Sequence, residues 1–227
     1  AQIHDILSNF QLDILALSET RFQLSTHNAI KNDIVPAGYL VHHTPRHPNA
    51  THPSGGGLAL VHRDDIVVKP HPLAVSIAFS SFELQLLRIT SVKPSITIVN
   101  AYRPPSLSLG LFHDELTDVL FAVSAATTDR LLLCGDLNCP GVDAVSVADK
   151  LSDVIDTVGL QQHVREPTRS SPDHLLDVLA TGPALYIPNV RVDDAGLVSD
   201  HRLVVATIVV DSAKHNPPVV FTYRRIK

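Results

Sequence analysis

Asp136 and Asn138 stand two residues apart directly behind the apolar run Leu131-Leu132-Leu133-Cys134-Gly135. In an extended chain, side chains two positions apart leave the backbone on the same side, so a carboxylate and a primary amide enter a common space. Such a pair suits a hard cation, which takes oxygen ligands, or a phosphate, whose oxygens accept from an amide NH2. Asp, Asn and Gly are also ordinary turn formers, so the pair gains chemical meaning only if other reactive groups reach the same edge. Four further segments deliver them. Glu19 follows the apolar run Ile14-Leu15-Ala16-Leu17-Ser18, and Tyr102 follows the run from Ser95 to Ala101. Asp177 lies within Leu175-Leu176-Asp177-Val178-Leu179, and Ser199-Asp200-His201 opens the run into Val210. Three consecutive residues cannot form a Ser-His-Asp relay, because the acid must sit behind the imidazole and the nucleophile in front of it. A ring oriented by a distant acid fits better, with Asp177 behind His201 and His201 facing a substrate.

The elements that carry these groups follow from apolar periodicity. Ile3, Ile6, Leu7 and Phe10 have helical spacing and lead into the strand that ends at Ser18. Strands are expected over 39–43, 58–62, 82–89, 95–101, 131–134, 175–179 and 202–210. Helices are expected from about Leu111 to Ala126 and from about Val147 to Thr157, with loops over 161–172 and between Leu179 and Leu197. Gly55-Gly56-Gly57 reads as a turn, since it leads into a strand and no Gly-Lys-Ser/Thr follows. His47 and His52 lie in a stretch rich in Pro, His and Asn and match no metal-ligand spacing. The short links between strands from 39 to 101 favour antiparallel pairing. The expected fold is α/β of the α+β kind, a four-layered sandwich of two mixed, mostly antiparallel sheets packed face to face with helices outside.

A length of 227 residues with no internal linker indicates one domain over 1–212, followed by a tail over 213–227. With 44% hydrophobic and 18% charged residues, the chain builds a substantial core. No apolar run approaches the roughly 20 residues that span a bilayer, so no membrane partner is expected. Cys134 and Cys139 are too few for a disulfide framework and lack a zinc pattern. The net charge of −5 argues against binding nucleic acid through a general basic surface. It is compatible with a metal-dependent nuclease, whose cation reverses the local sign of a carboxylate-lined cleft.

Ser18-Glu19-Thr20, Gly135-Asp136-Leu137-Asn138 and Ser199-Asp200-His201 resemble, in order, the motifs of the endonuclease/exonuclease/phosphatase superfamily. Tyr102-Arg103-Pro104-Pro105, Glu166-Pro167-Thr168-Arg169 and Leu175-Leu176-Asp177-Val178-Leu179 are similar to those of one branch, the apurinic-type endonuclease domain of non-LTR (LINE-type) retrotransposons. The resemblance spans nearly the whole chain, and its tail from Phe221 to Lys227 is similar to the start of a link towards a reverse transcriptase domain.

The resemblance implies an Mg²⁺- or Mn²⁺-dependent endonuclease that nicks DNA and leaves a 3′-hydroxyl for a linked reverse transcriptase, acting inside the cell and in the nucleus. Glu19 would hold the ion with Asp200 near it, Asp136 would activate the attacking water and Asn138 would position the phosphate. Tyr102 and His201 would stabilise developing charge, His201 being held by Asp177. Thr168, Arg103 and Ser199 would contact the substrate. A phosphatase or phosphodiesterase on another substrate and an inactive binding module are the alternative readings. The family's opening strand, which carries an active-site Asn, has no counterpart before the first helix here. Two strand edges are therefore expected to be open.

Overall fold

A computed structural model describes residues 2–22, 25–26, 34–46, 55–75, 79–194 and 199–210. Helix α1 (Gln2–Asn9) buries Ile6 and Leu7 and passes the chain to strand β1 (Ile14–Ser18). β2 (Tyr39–Thr44) and β3 (Leu58–Arg63) complete a three-stranded antiparallel sheet in the order β1-β3-β2. β3 is its middle strand and is buried from Leu58 to His62, which its unbroken apolar run Leu58-Ala59-Leu60-Val61 anticipates.

The larger sheet holds β4 (Val68–Pro70), β5 (Glu83–Ile89), β6 (Ile96–Tyr102), β7 (Arg130–Asp136), β8 (Gln161–Gln162) and β9 (Asp177–Thr181), in the order β4-β5-β6-β7-β9-β8. β6 and β7 run parallel, and α2 (Leu109–Ala126) makes the crossover between them. Ser108 caps α2 by accepting from the Leu111 amide at 3.5 Å. α3 (Asp149–Thr157) follows β7. All other pairings in this sheet are antiparallel.

Phe112, Leu116, Val119, Leu120 and Val123 of α2 and Leu151, Val154 and Ile155 of α3 join the core that also takes the sheet residues Leu86, Val99 and Leu133. Ile14, Ala16 and Leu60 reach that core from the smaller sheet, while Leu15 and Val61 meet Ile6 and Leu7 of α1 on its other face. The layers are thus α2 and α3, the six-stranded sheet, the smaller sheet and α1, the four-layered α/β sandwich anticipated from the sequence. Between the sheets, the Asn100 amide donates to Gln85 at 3.2 Å, and Gln85 donates onward to the His42 carbonyl at 3.0 Å and Thr44 Oγ1 at 3.1 Å.

β10 (Tyr186–Asp193) forms a strand where a loop was expected; it pairs antiparallel with β11 (Leu203–Val209). Pro188 hid it, because proline cannot donate to a ladder, and the register does shift between Tyr186 and Asn189. Leu203 of β11 packs with Leu15, Ile6 and Leu7, and Val204, Ala206 and Ile208 turn to the main core, so β11 shares a layer with β1. Among the described residues no ladder joins the two: the layer is divided into a three-stranded and a two-stranded piece. β1 accordingly buries only Leu15 below the surface, whereas all seven residues of β6 are buried. His47, His52 and the tail over 213–227 lie outside the described residues.

Among the described residues β1 and β11 each carry a ladder on one side only. A strand-forming segment fused ahead of Ala1 is expected to raise the urea midpoint, with a gain of several kcal/mol in unfolding free energy if it buries two or three large apolar side chains at about 1.5–3 kcal/mol each. An unchanged midpoint would show that the divided layer is already satisfied.

Candidate active site

Gly135 sets the site's geometry. Its φ is +126°, and a Cβ there would lie 1.9 Å from the Ala101 carbonyl oxygen, so only glycine lets the end of β7 run this close to β6. Asp136 and Tyr102 thereby finish neighbouring strands. Asp136 then fixes the turn behind it: its Oδ1 accepts from the Asn138 amide at 3.0 Å and its Oδ2 from Asn138 Nδ2 at 2.9 Å. Asn138 holds φ +48°, a left-handed conformation that Asn tolerates. Its Nδ2 also donates to the Arg103 carbonyl at 3.0 Å, so the amide expected to position a phosphate is engaged in orienting Asp136.

β9 begins at Asp177 and runs antiparallel to β7, whose last residue is Asp136, and the register places the two opposite each other. Asp177, expected at a strand end or in an adjoining loop, opens β9. Standing at the start, it lies beside the end of β7, and two carboxylates share one edge. His201 meets both: Nδ1 is 2.8 Å from Asp177 Oδ2 and Nε2 is 3.9 Å from Asp136 Oδ2. A backbone bridge to Arg169 and a hydrogen bond from the His201 amide to Ser199 Oγ at 3.1 Å hold this segment in place.

Electrostatics follow from that packing. Burial, and then the charge of Asp177, push the Asp136 carboxyl up to about 7. Burial alone would lower His201, but the hydrogen bond and charge of Asp177, with Asp136 and Asp200, outweigh it and push the ring up to about 9. The imidazole is therefore charged at neutral pH, with Nδ1–H donated to Asp177 and Nε2–H directed to the side of Asp136.

The smaller sheet supplies the opposite wall. Glu19 directly follows β1 with φ +54° and accepts a short hydrogen bond from the buried Tyr102 hydroxyl. Burial, then that bond, hold the phenol well above its usual range, so Tyr102 is a neutral donor already committed to Glu19. The backbone about Glu19 is tied to the glycine turn: Thr20 and Arg21 donate to the Gly57 and Gly56 carbonyls at 3.1 and 2.7 Å. Glu83 fixes the turn in its turn, accepting from the Gly57 amide at 2.6 Å and pairing with Arg46. Sequence reading missed Arg46 and Glu83. The only signal was that Glu83 opens a strand whose partner ends in Tyr102, a register visible once the sheet is formed.

Arg103 and Thr168, expected at the substrate, turn their side chains to backbone groups. Arg103 is 3% exposed, and its guanidinium donates to the carbonyls of Leu137, Asn138, Pro104 and Leu107, so it holds the Asp136–Asn138 turn from beneath. Thr168 is wholly buried and accepts from the amides of Leu176 and Asp177. Asp200, expected beside the ion, is ion-paired to Arg169 at 2.7 Å, and that guanidinium holds its carboxyl below the usual range against the effect of burial. Ser199 is exposed, with its oxygen accepting from the His201 amide.

Ligand atoms of Asp136, Asp177 and His201 lie within 4.8 Å of one another, a group that could hold a metal ion. Asp177 and His201 are already bonded to each other, and the exposed Glu19, whose charge reaches Asp136, offers a further carboxylate beside the group. The donor chemistry fits, because a cation there would offset the carboxylates that crowd the edge. No described helix is long and apolar enough to cross a membrane.

The fold has close counterparts among solved structures. The endonuclease domain of TRAS1, a telomere-specific non-LTR retrotransposon, superposes with TM-score 0.66 at 18% identity, covering 91% of this chain and 90% of that one. An AP endonuclease from Leishmania major gives 0.67 at 13% identity over 88% and 79%. A 3′ phosphatase from Neisseria, bound to a product DNA hairpin, gives 0.62 at 18% identity over 90% and 92%. No curated protein matches by sequence. The sequence model described as endonuclease/exonuclease/phosphatase family matches residues 1–201, and the chain belongs to that family.

Proposed function

We propose that this chain is a divalent-metal-dependent DNA endonuclease that hydrolyses a phosphodiester and nicks its target. The observation that carries the reading is the Asp177–His201 hydrogen bond at 2.8 Å, with Asp136 on the far side of the ring. Asp136 is the base, its carboxylate aimed by two donors from Asn138 and its affinity for a proton set near neutral, where a general base works best. His201, charged and fixed by Asp177, donates through Nε2 to a non-bridging phosphoryl oxygen as negative charge builds there. Tyr102 orients Glu19, and Glu19 would hold Mg²⁺ or Mn²⁺. When bound, that ion would neutralise charge on the scissile phosphate.

The product would be a nick ending in a 3′-hydroxyl, which a reverse transcriptase domain of the same polyprotein could extend, with action on nuclear DNA. The alternative reading is a phosphatase of the same fold, since a 3′ phosphatase resembles the chain at the same identity as the retrotransposon endonuclease. Supercoiled plasmid relaxation, run beside release of phosphate from a 3′-phosphorylated oligonucleotide, separates the two.

Glu19→Gln keeps the size and removes the charge, and plasmid relaxation in Mg²⁺ is expected to fall by orders of magnitude; full activity of the variant would remove Glu19 from the mechanism. Asp177 and His201 are expected to act as one unit. Asp177→Asn added to His201→Ala should cost little beyond His201→Ala alone, and full additivity would mean that the hydrogen bond does not serve the reaction.

Stability supplies a check free of turnover. The Asp136 carboxyl binds its proton more tightly folded than unfolded, so stability falls as pH rises from the ordinary carboxylate range through about 7. In EDTA, Asp136→Asn is expected to have a higher urea midpoint than the unaltered chain at pH 8, and the gain should shrink towards pH 5. A gain that does not change with pH would contradict the charge crowding.

A further inference from the structure

Resting on that proposed function, we infer that Thr168 is a positioning residue of the reaction: it joins the segment carrying Asp177 to the segment carrying His201, and it does not contact DNA. The side chain is 0% exposed. Its Oγ1 accepts from the amides of Leu176 and Asp177, each at 3.0 Å, which uses both acceptor lone pairs of one hydroxyl. Its carbonyl accepts from the Arg202 amide at 2.6 Å, one residue beyond His201. Its own amide donates to the His174 carbonyl at 2.9 Å, anchoring it in the small turn over 169–174.

The geometry explains why a threonine stands here. Asp177 and His201 are 24 residues apart, Asp177 opening β9 of the six-stranded sheet and His201 standing just before β11 of the two-stranded one. No ladder runs between them. Their alignment depends on a residue that touches both segments, and Thr168 touches one through its hydroxyl and the other through its carbonyl. The β-branched side chain confines χ1, so the hydroxyl is held where the two amides meet it. Valine has the same outline and no acceptor, and would leave two buried N–H groups without a partner. Asp177 would then be free to shift by fractions of an ångström, and small misplacements of a catalytic group cost up to about 100-fold in rate.

The test uses the full chain with plasmid relaxation and amide hydrogen exchange. Thr168→Val is expected to lower kcat about 10- to 100-fold with KM for DNA nearly unchanged, and Thr168→Ser, which keeps the hydroxyl, should restore most of it. In an Asp177→Asn background the valine substitution should cost little more. Amides of Leu176 and Asp177 should exchange slowly in the unaltered chain and faster in Thr168→Val, with Val178 to Ala180 unaffected. Thr168→Cys, which keeps the size and a weaker acceptor, should give an intermediate result and replaces the valine variant if that does not fold.

A raised KM at unchanged kcat would assign Thr168 to the DNA backbone and overturn the inference. So would a loss as large with Asp177→Asn as without it, or unaltered exchange at Leu176 and Asp177. If the unaltered chain cuts no DNA, the nuclease reading fails on its own, while the exchange rates still decide whether Thr168 fixes Asp177.

Discussion

Two carboxylates, Asp136 and Asp177, face each other across one pair of antiparallel strands, at the end of β7 and the start of β9. Partners in such a ladder have Cα atoms about 4.5–5.5 Å apart, and this pair lies at the edge of a protein core. Unrelieved, like charges so placed oppose folding. The surrounding structure is an answer to that crowding. Asn138 gives Asp136 two donors, Thr168 fixes the backbone of Asp177, and His201 places a positive ring against both acids. Arg103 leaves its own charge beneath the turn, spent on four carbonyls. Each device holds the charges in place without cancelling them fully, and Asp136 keeps a raised proton affinity.

The other half of the site hangs from a different sheet. Glu19 comes from β1, whereas Tyr102 and Asp136 come from β6 and β7. A site split between two layers works only if the layers cannot slide. The buried chain from Asn100 through Gln85 to His42 and Thr44 crosses the interface, and the pairing of Glu83 with Arg46 beside Gly57 ties the same two layers closer to Glu19. Apolar contacts alone would permit small slips at low cost. Satisfied polar groups in a dry interior do not, because each slip strands a donor or acceptor. The Tyr102–Glu19 hydrogen bond then transmits that alignment to the carboxylate itself.

Much of this was legible in the sequence. Apolar runs followed by Glu19, Tyr102 and Asp136 gave strands that deliver reactive groups to one edge, because a buried strand must end where its polar residues begin. The Asp177–His201 pairing was legible too, since the Ser199-Asp200-His201 tripeptide could not form a relay on its own. Roles that depend on side-chain direction across the fold were not. Thr168 and Arg103 are polar residues in loop-like sequence, and only three-dimensional packing shows that both turn inward to bind backbone. Asp200 and Arg169 are 31 positions apart, and their ion pair arises from a loop contact that no local pattern records. β10 escaped because one proline outweighed an otherwise adequate strand pattern.

The same architecture makes the two halves of the site unequal in support. Asp136 and Tyr102 end strands paired on both sides within the six-stranded sheet, and β6 is buried throughout. Glu19 follows a strand that, among the described residues, has a ladder on one side, in a layer divided between β1 and β11. Local opening draws on segments with few buried apolar contacts and solvent-facing hydrogen bonds, and β1 meets that description where β6 does not. Glu19 also holds a positive φ that its surroundings must enforce, through Gly56, Gly57 and Glu83. Loosening of the smaller sheet would therefore release Glu19 from Tyr102 while leaving Asp136, Asp177 and His201 assembled. The placement of Glu19, more than the Asp177–His201 pair, is the property this fold sets by how firmly β1 is held.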